Sequence, residues 1–457
     1  MTNHAGQTLD ITKLVLGFDI YESLYLNSLT GTIDITDAND YLQFFPIIGE
    51  ETIEIDMVLP GFDDNSNFVL SEYRIYKITD RVINSDKVQT YKLWFTSPEF
   101  IIDFEKKVSK AWYEKTTHSM VKDVFKILES KKVIDVESTV GVHNYFATNF
   151  TPLQILNYLA SHRSINSDKM SDFMFFESFD VDNKTTKFNF KSLGYLAYSQ
   201  DPIAEFTYNP VNINDDSWTS AGNVQPYNIE NISFKKGFDI IDAKMKGFYN
   251  QTFVYYDILR KRCVYQKNAF DDVNSETGDK KIEGAESNPS FVKNTGGAGE
   301  SVTIIHSTGL PNRIDNSANM SNKKNKGTET KPKRGDNGYI AKKGSNRDSL
   351  SNLTEETLYR RKILLHEFDL NKINLNDISG NYRYTVGSVI LFNKPHIMIN
   401  KFDPIEKYDE VDDLFISGRY LITKSRHHVR RGDGLNWVYK NYLEVSKNAI
   451  KNSLNKL

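Results

Sequence analysis

The stretch SEYRIYKITDRV, Ser71 to Val82, comes back in altered form near the end of the chain as GRYLITKSRHHV, Gly418 to Val429. Aligned on tyrosine, the two share Tyr-x-Ile-x-Lys and a later valine: Tyr73, Ile75, Lys77 and Val82 against Tyr420, Ile422, Lys424 and Val429. Their flanks repeat as well. IIGEETIEI precedes the first and TVGSVILF the second, with Gly49 matching Gly387; TYKLWFTS and VYKNYLEVS follow, with Tyr91-Lys92 matching Tyr439-Lys440. A strand entered through glycine and then a strand pair, kept in the same order, implies one small β-barrel used twice. Chance alternation is the competing reading, because Tyr-x-Ile suits any half-buried strand.

At 457 residues the chain exceeds what one core organises, so about two to four domains are expected. Aromatics at 12%, with 25 Tyr and 28 Phe against 12 Pro, favour sheet surfaces. A formal charge of -3, from 57 basic and 60 acidic side chains, excludes a surface that is a nucleic-acid footprint throughout. The single cysteine, Cys263, excludes an intramolecular disulfide framework and a cysteine-rich zinc site, and fits synthesis in a reducing cytoplasm. We read it as a small buried hydrophobe. The N-terminal MTNHAGQTLDITKL lacks the basic and apolar regions of an export signal, and no apolar run is long enough to span a bilayer.

Periodicity divides the chain. Residues 1–99 read as six or so strands, with Ile33 and Ile35 alternating in LTGTIDITDA and Ile53, Ile55 and Met57 on one face of ETIEIDMVL, and with a turn at PGFDDNSN. Residues 100–208 form an α+β unit. There Met120, Val121, Val124, Phe125 and Leu128 make a helical stripe, and Thr151 and Gln154 form a capping box with Pro152 at the first helical position and Ile155, Leu156 and Leu159 as the apolar face. DFMFFESF and KFNFKSL read as a hairpin around DVDNKT. Residues 209–270 with 350–446 carry the second barrel, opening a helix at Asn352, with Glu355 three residues on, that runs to about Phe368. Residues 271–349 are rich in Asn, Ser, Gly, Lys and Thr, and read as a polar excursion; 447–457 is a tail.

The chemistry of an enzyme is not written in any motif. His427 and His428 are adjacent, so in a strand they point to opposite faces and cannot share an ion; surface or edge positions are expected. A metal held on an assembly axis by one histidine per chain stays open. TGGAGES lacks the lysine of a phosphate cradle, and DVDNKT lacks the glycine and distal glutamate of a calcium loop. The carboxylates of DDSW, YDEVDD and FDD leave a glycosidase pair as an alternative. Arg426, Arg430 and Arg431 in RHHVRRGDG read as a solvated hairpin turn rather than a nucleic-acid contact, and the lysine run NKKNKGTETKPK as solvated too. No catalytic, cofactor-binding or metal-binding residue is assigned, and no cofactor is expected.

The order of parts resembles the baseplate hub proteins of contractile-tailed, T-even-like bacteriophages, a family related to the hubs of contractile injection systems and type VI secretion spikes. The motifs that carry it are IYESLYLNSLTGTIDITDA and FPIIGEETIEI, VSKAWYEKTTHSMVKDVFKIL and NFTPLQILNYLA, and VGSVILF with GRYLITKSRHHV. The resemblance spans Leu9 to Leu443 apart from the polar excursion. It implies a β-rich α+β multidomain fold with two tail-tube-like β-barrels. It also implies a homotrimeric, non-enzymatic ring of pseudo-sixfold symmetry that joins a hexameric tail tube to a trimeric central spike, contacts other baseplate proteins and passes phage DNA without specific binding. The expected place is the virion tail baseplate, after synthesis in the host cytoplasm. A tail-associated cell-wall hydrolase, or the spike hub of an injection system, is the alternative.

Overall fold

A computed structural model describes most of residues 1–208 and 350–448, together with 228–236 and the strands at 250–257, 262–269, 301–307 and 338–340. Within the two long segments, 40–46, 59–66, 86–87, 395–412 and 433–435 lie mostly outside the described residues. The chain is β-rich. β1 (Val15–Ser23), β2 (Thr30–Asp37), β3 (Thr52–Val58), β4 (Asn67–Ser85) and β5 (Val88–Thr96) pair in the order β1-β2-β5-β4-β3, antiparallel throughout. Alternation decides the faces: Ile20, Ile33, Ile35, Ile75, Leu93 and Phe95 are buried in one cluster, while Asp34, Lys92 and their row-mates point the other way. Among the described residues five strands stand here, where the sequence suggests six or so, and the turn expected at PGFDDNSN lies mostly outside the described residues.

The middle segment opens with a helix, Pro98–Glu105, then β6 (Val108–Thr116), a helix Thr117–Phe125 with a 3-10 turn Lys126–Leu128, β7 (Ile134–Val136) and β8 (Val142–Phe150). A helix Pro152–His162 follows, then β9 (Phe173–Asp180), β10 (Thr185–Ser192) and a helix Leu193–Ser199. The expected stripe of Met120, Val121, Val124, Phe125 and Leu128 is buried. Thr151 and Gln154 close the capping box at both ends, with Pro152 in the first turn. β9 and β10 form the hairpin read from the sequence, Phe188 facing Glu177 across it. These elements share a core of Trp112, Phe125, Leu156, Phe173, Phe188 and Phe190.

After β11 (Glu205–Tyr208), β12 (Asn228–Ile229) and β13 (Asn231–Lys236), the chain makes β14 (Asn250–Asp257), β15 (Arg262–Ala269), β16 (Ser301–Ser307) and β17 (Gly338–Ile340), which pair as a separate sheet in the order β16-β14-β15-β17. A helix Leu350–Leu370 leads to β18 (Lys372–Ser379), β19 (Val389–Asn393), β20 (Gly418–Arg431) and β21 (Trp437–Ser446). Two expectations change here. Among the described residues, the strands at 250–257 and 262–269 do not pair with the second repeat's sheet, and the polar stretch 271–349 adds two strands, β16 and β17, to the sheet those two form. β16 arises because VTIIHS keeps a short apolar alternation that the surrounding Asn, Gly and Lys mask in composition. The helix also begins at Leu350, so Asn352 lies inside it rather than at its cap.

The repeat extends beyond the motif that announced it. β13, β18, β21, β20 and β19 pair in the order β13-β18-β21-β20-β19, again antiparallel, so each unit uses its strands in one sequence order and one spatial order. Tyr73 faces Ile53 as Tyr420 faces Ile390, and a β-bulge falls between Ile75 and Lys77 as it does between Ile422 and Lys424. Gly49 and Gly387 both hold positive φ, +101° and +85°, where the chain turns into the third strand of its unit. One pairing of the sequence alignment shifts. Phe95 and Val445 lie opposite Ile75 and Ile422, which places Tyr91 level with Asn441 rather than Tyr439.

Candidate functional site

The two units meet edge to edge. β1 lies antiparallel to the C-terminal half of β20, with Gly17 opposite Arg430, Asp19 opposite His428, Tyr21 opposite Arg426 and Ser23 opposite Lys424. The seam makes one continuous sheet from β13 to β3, and its residues sort by parity onto two faces. On the buried face, Ile20 and Val429 join the core, and Glu22 meets His427 at 2.6 Å with neither side chain exposed. Glu22 also accepts from Thr385 Oγ1 at 2.5 Å. His427 Nδ1 lies 2.6 Å from Tyr439 Oη and 3.0 Å from Asn441 Nδ2. The set suits an imidazole that donates from Nε2 to Glu22 and accepts at Nδ1.

The opposite face is a ladder of ion pairs. Cross-strand rows run Lys440, His428, Asp19, Thr32, Trp94, Lys77 and, one step on, Val438, Arg430, Gly17, Asp34, Lys92, Thr79. Asp19 takes Arg426 Nε at 3.0 Å, His428 Nδ1 at 2.6 Å and Arg430 Nη2 at 3.2 Å; Arg430 also reaches Asp34, which Lys92 approaches at 3.5 Å. Lys440 and Tyr442 bind Asp377 at 3.0 and 2.9 Å, and Lys424 and Lys235 bind Glu444, the former at 3.2 Å. Burial pushes the Asp19 carboxyl up, but the hydrogen bonds from Arg426 and His428 outweigh it and hold the group below the usual carboxylate range. At Asp377 the bond from Lys440 is the largest influence and acts in the same direction.

A second buried carboxylate locks the middle segment onto the first unit. Glu177 accepts from the Leu29 amide at 2.8 Å, Tyr73 Oη at 2.8 Å, Ser97 Oγ and Lys132 Nζ at 2.7 Å, and Lys132 reaches Glu99 at 2.9 Å. Desolvation opposes charge at both groups, yet Lys132 and these donors keep Glu177 below its ordinary range, and Glu177 and Glu99 together raise Lys132 above its own. The repeat's tyrosines thus diverge in use: Tyr73 bonds Glu177, while Tyr420 donates to the Ile416 carbonyl at 2.6 Å.

Several sequence readings change at this surface. His427 is fully buried, not at a surface or edge, because β1 covers the strand edge that the local sequence leaves open. His428 does point to the opposite face, as parity requires. Arg426 and Arg430 are paired with Asp19 rather than solvated in a turn, and Arg431 reaches the Lys13 carbonyl at 3.3 Å. In DVDNKT, Asn183 Nδ2 closes on Asp180 at 2.7 Å within the hairpin turn. TGGAGES up to Glu300, the lysine run, DDSW, FDD, the side chain of Cys263 and most of YDEVDD lie outside the described residues. Among the described residues, no three His, Cys, Asp or Glu side chains gather as a metal site, and no helix is long and apolar enough to cross a membrane. The Asp19 and Glu22 partners escaped sequence reasoning; the one available signal was the alternation of DIYES against RHHVRR, which becomes readable only once the strands are known to be neighbours.

No protein-family model matches the chain, and no curated protein matches it. Solved structures are similar in backbone course. A tail protein from Neisseria meningitidis MC58 superposes with a TM-score of 0.48 at 10% identity, over 96% of this chain and 93% of its own. The 43 kDa tail protein of prophage MuSo2 from Shewanella oneidensis gives 0.43 at 8% identity, over 95% of each chain. The E. coli c3393 protein, described as a type VI secretion component with structural similarity to the T4 bacteriophage tail proteins gp27 and gp5, gives 0.42 at 10% identity, over 96% of this chain and 77% of its own.

Proposed function

We propose that this chain is the structural hub of a contractile phage tail. Three copies close a ring of six quasi-equivalent five-strand barrels, which joins a sixfold tube on one side to a threefold spike on the other. One observation supports this above the rest: a single chain carries the same five-strand order twice, and its two units share one sheet. A duplicated unit lets a threefold assembly present sixfold neighbours.

On this reading the ion-paired face lines the bore. Arg426, Arg430, Lys92, Lys440, Lys424 and Lys235 lie against four carboxylates, Asp19, Asp34, Asp377 and Glu444, so most of the positive charge that a passing DNA strand meets is compensated and few counterions are exchanged with the wall. DNA is conducted, not bound, and the chain performs no catalysis. Light scattering across a dilution series tests the assembly: the expected mass is three times 52.6 kDa, with ring-shaped particles in electron micrographs. A monomer at every concentration overturns the reading.

A further inference from the structure

The seam inside the chain has a counterpart that the single chain leaves unmade. β1 is the first strand of its unit and β20 the fourth; the equivalent edges are β13, first strand of the second unit, and the C-terminal half of β4, fourth strand of the first. Among the described residues, β13 pairs only with β18, and β4 beyond Arg74 pairs only with β5. We infer that β13 of one copy pairs antiparallel with the Thr79 to Ile83 stretch of β4 in a second copy of this chain, which closes the ring.

The residues at these edges carry the inference. By cross-strand position Phe234 corresponds to Ile20 and Ile83 to Val429. At the made seam Ile20 is 0% and Val429 7% exposed; at the open edges Phe234 is 58% and Ile83 73% exposed. Val82 beside them is 53% exposed. Open strand edges carrying apolar side chains are otherwise a hazard that folded chains cover. Transferring the register of the made seam, with the extra bulge of β4 between Thr79 and Val82, sets Ile232 opposite Ile83 and Ser233 opposite Val82. The contact joins two different edges, so it repeats head to tail and closes when the rotation returns to the start.

This rests on the ring reading above, and the test separates the two. In a Cys263→Ser background, Ser233→Cys with Val82→Cys places thiols on directly opposed residues, within disulfide reach. Mild oxidation is expected to give a covalent trimer on a non-reducing gel, while either single variant stays uncrosslinked and a register-shifted pair, Ser233→Cys with Arg81→Cys, crosslinks at least several-fold less. Ile83→Glu is expected to shift the mass in solution from trimer to monomer, with an unchanged circular dichroism spectrum. A trimer by mass without the crosslink overturns the seam and leaves the ring standing. A covalent ladder closing at another number supports the seam and overturns the count of three. A parent chain that is monomeric throughout overturns both.

Discussion

Lys132 shows what a single residue does here. Its ammonium lies between Glu99 and Glu177 at 2.9 and 2.7 Å, with Glu177 wholly buried. Lys132→Met leaves a buried carboxylate without its cation, which costs about 3 kcal/mol or more; urea denaturation of the variant should show that loss. Two other groups set opposite pH trends. Burial lowers His143 to about 4, so the unfolded chain takes up a proton first and stability falls as pH drops from about 6.5 to about 4. His143→Leu should flatten that part of the melting-temperature profile. Burial raises Asp172 to about 6, so this group opposes folding increasingly as pH rises from its ordinary range to about 6. Asp172→Asn keeps an acceptor for the Gly194 amide and should stabilise by about 1–3 kcal/mol at pH 7, with little effect at pH 4.

Elements carry the repeat through backbone constraints more than through side-chain identity. Gly49 and Gly387 hold left-handed conformations at equivalent turns, and the Gly387 amide donates to the Ile422 carbonyl at 3.0 Å. Each Gly→Ala should cost about 1–2 kcal/mol, nearly additively, because the sites are far apart; thermal melts of the singles and the double measure it. At Gly31 the reason is contact instead: a Cβ would overlap the Phe95 ring and lie 2.6 Å from the Asp19 carbonyl. The matched glycines were legible in the sequence, as were the buried stripe ending at Leu128 and the Thr151 cap, since each depends on neighbours within a turn or a strand. β16 was not, because its few alternating residues sit in a long polar context.

For the whole molecule, the consequential feature is a sheet shared by two units whose cationic side chains are paired with carboxylates. If that face is the conduit wall, removing carboxylates should make it sticky. Asp34→Asn with Asp377→Asn frees Arg430, Lys92 and Lys440 from part of their compensation, and should turn negligible DNA retention in a filter-binding assay into retention that vanishes as salt rises. Unchanged retention at low salt would remove this face from the bore.

Local periodicity determined much of this protein by sequence alone. Strand parity put Ile33 and Ile35 inside, 3.6-residue spacing put Met120 and Val124 inside, and a twice-used Tyr-x-Ile-x-Lys marked a duplicated unit, because backbone geometry ties such patterns to a face over a few residues. Only the tertiary structure decided that Glu22 meets His427 and that Asp19 meets Arg426, His428 and Arg430. Those partners lie at opposite ends of the chain, and which strand edge covers which is settled by burying both edges at once, a condition that no local pattern encodes.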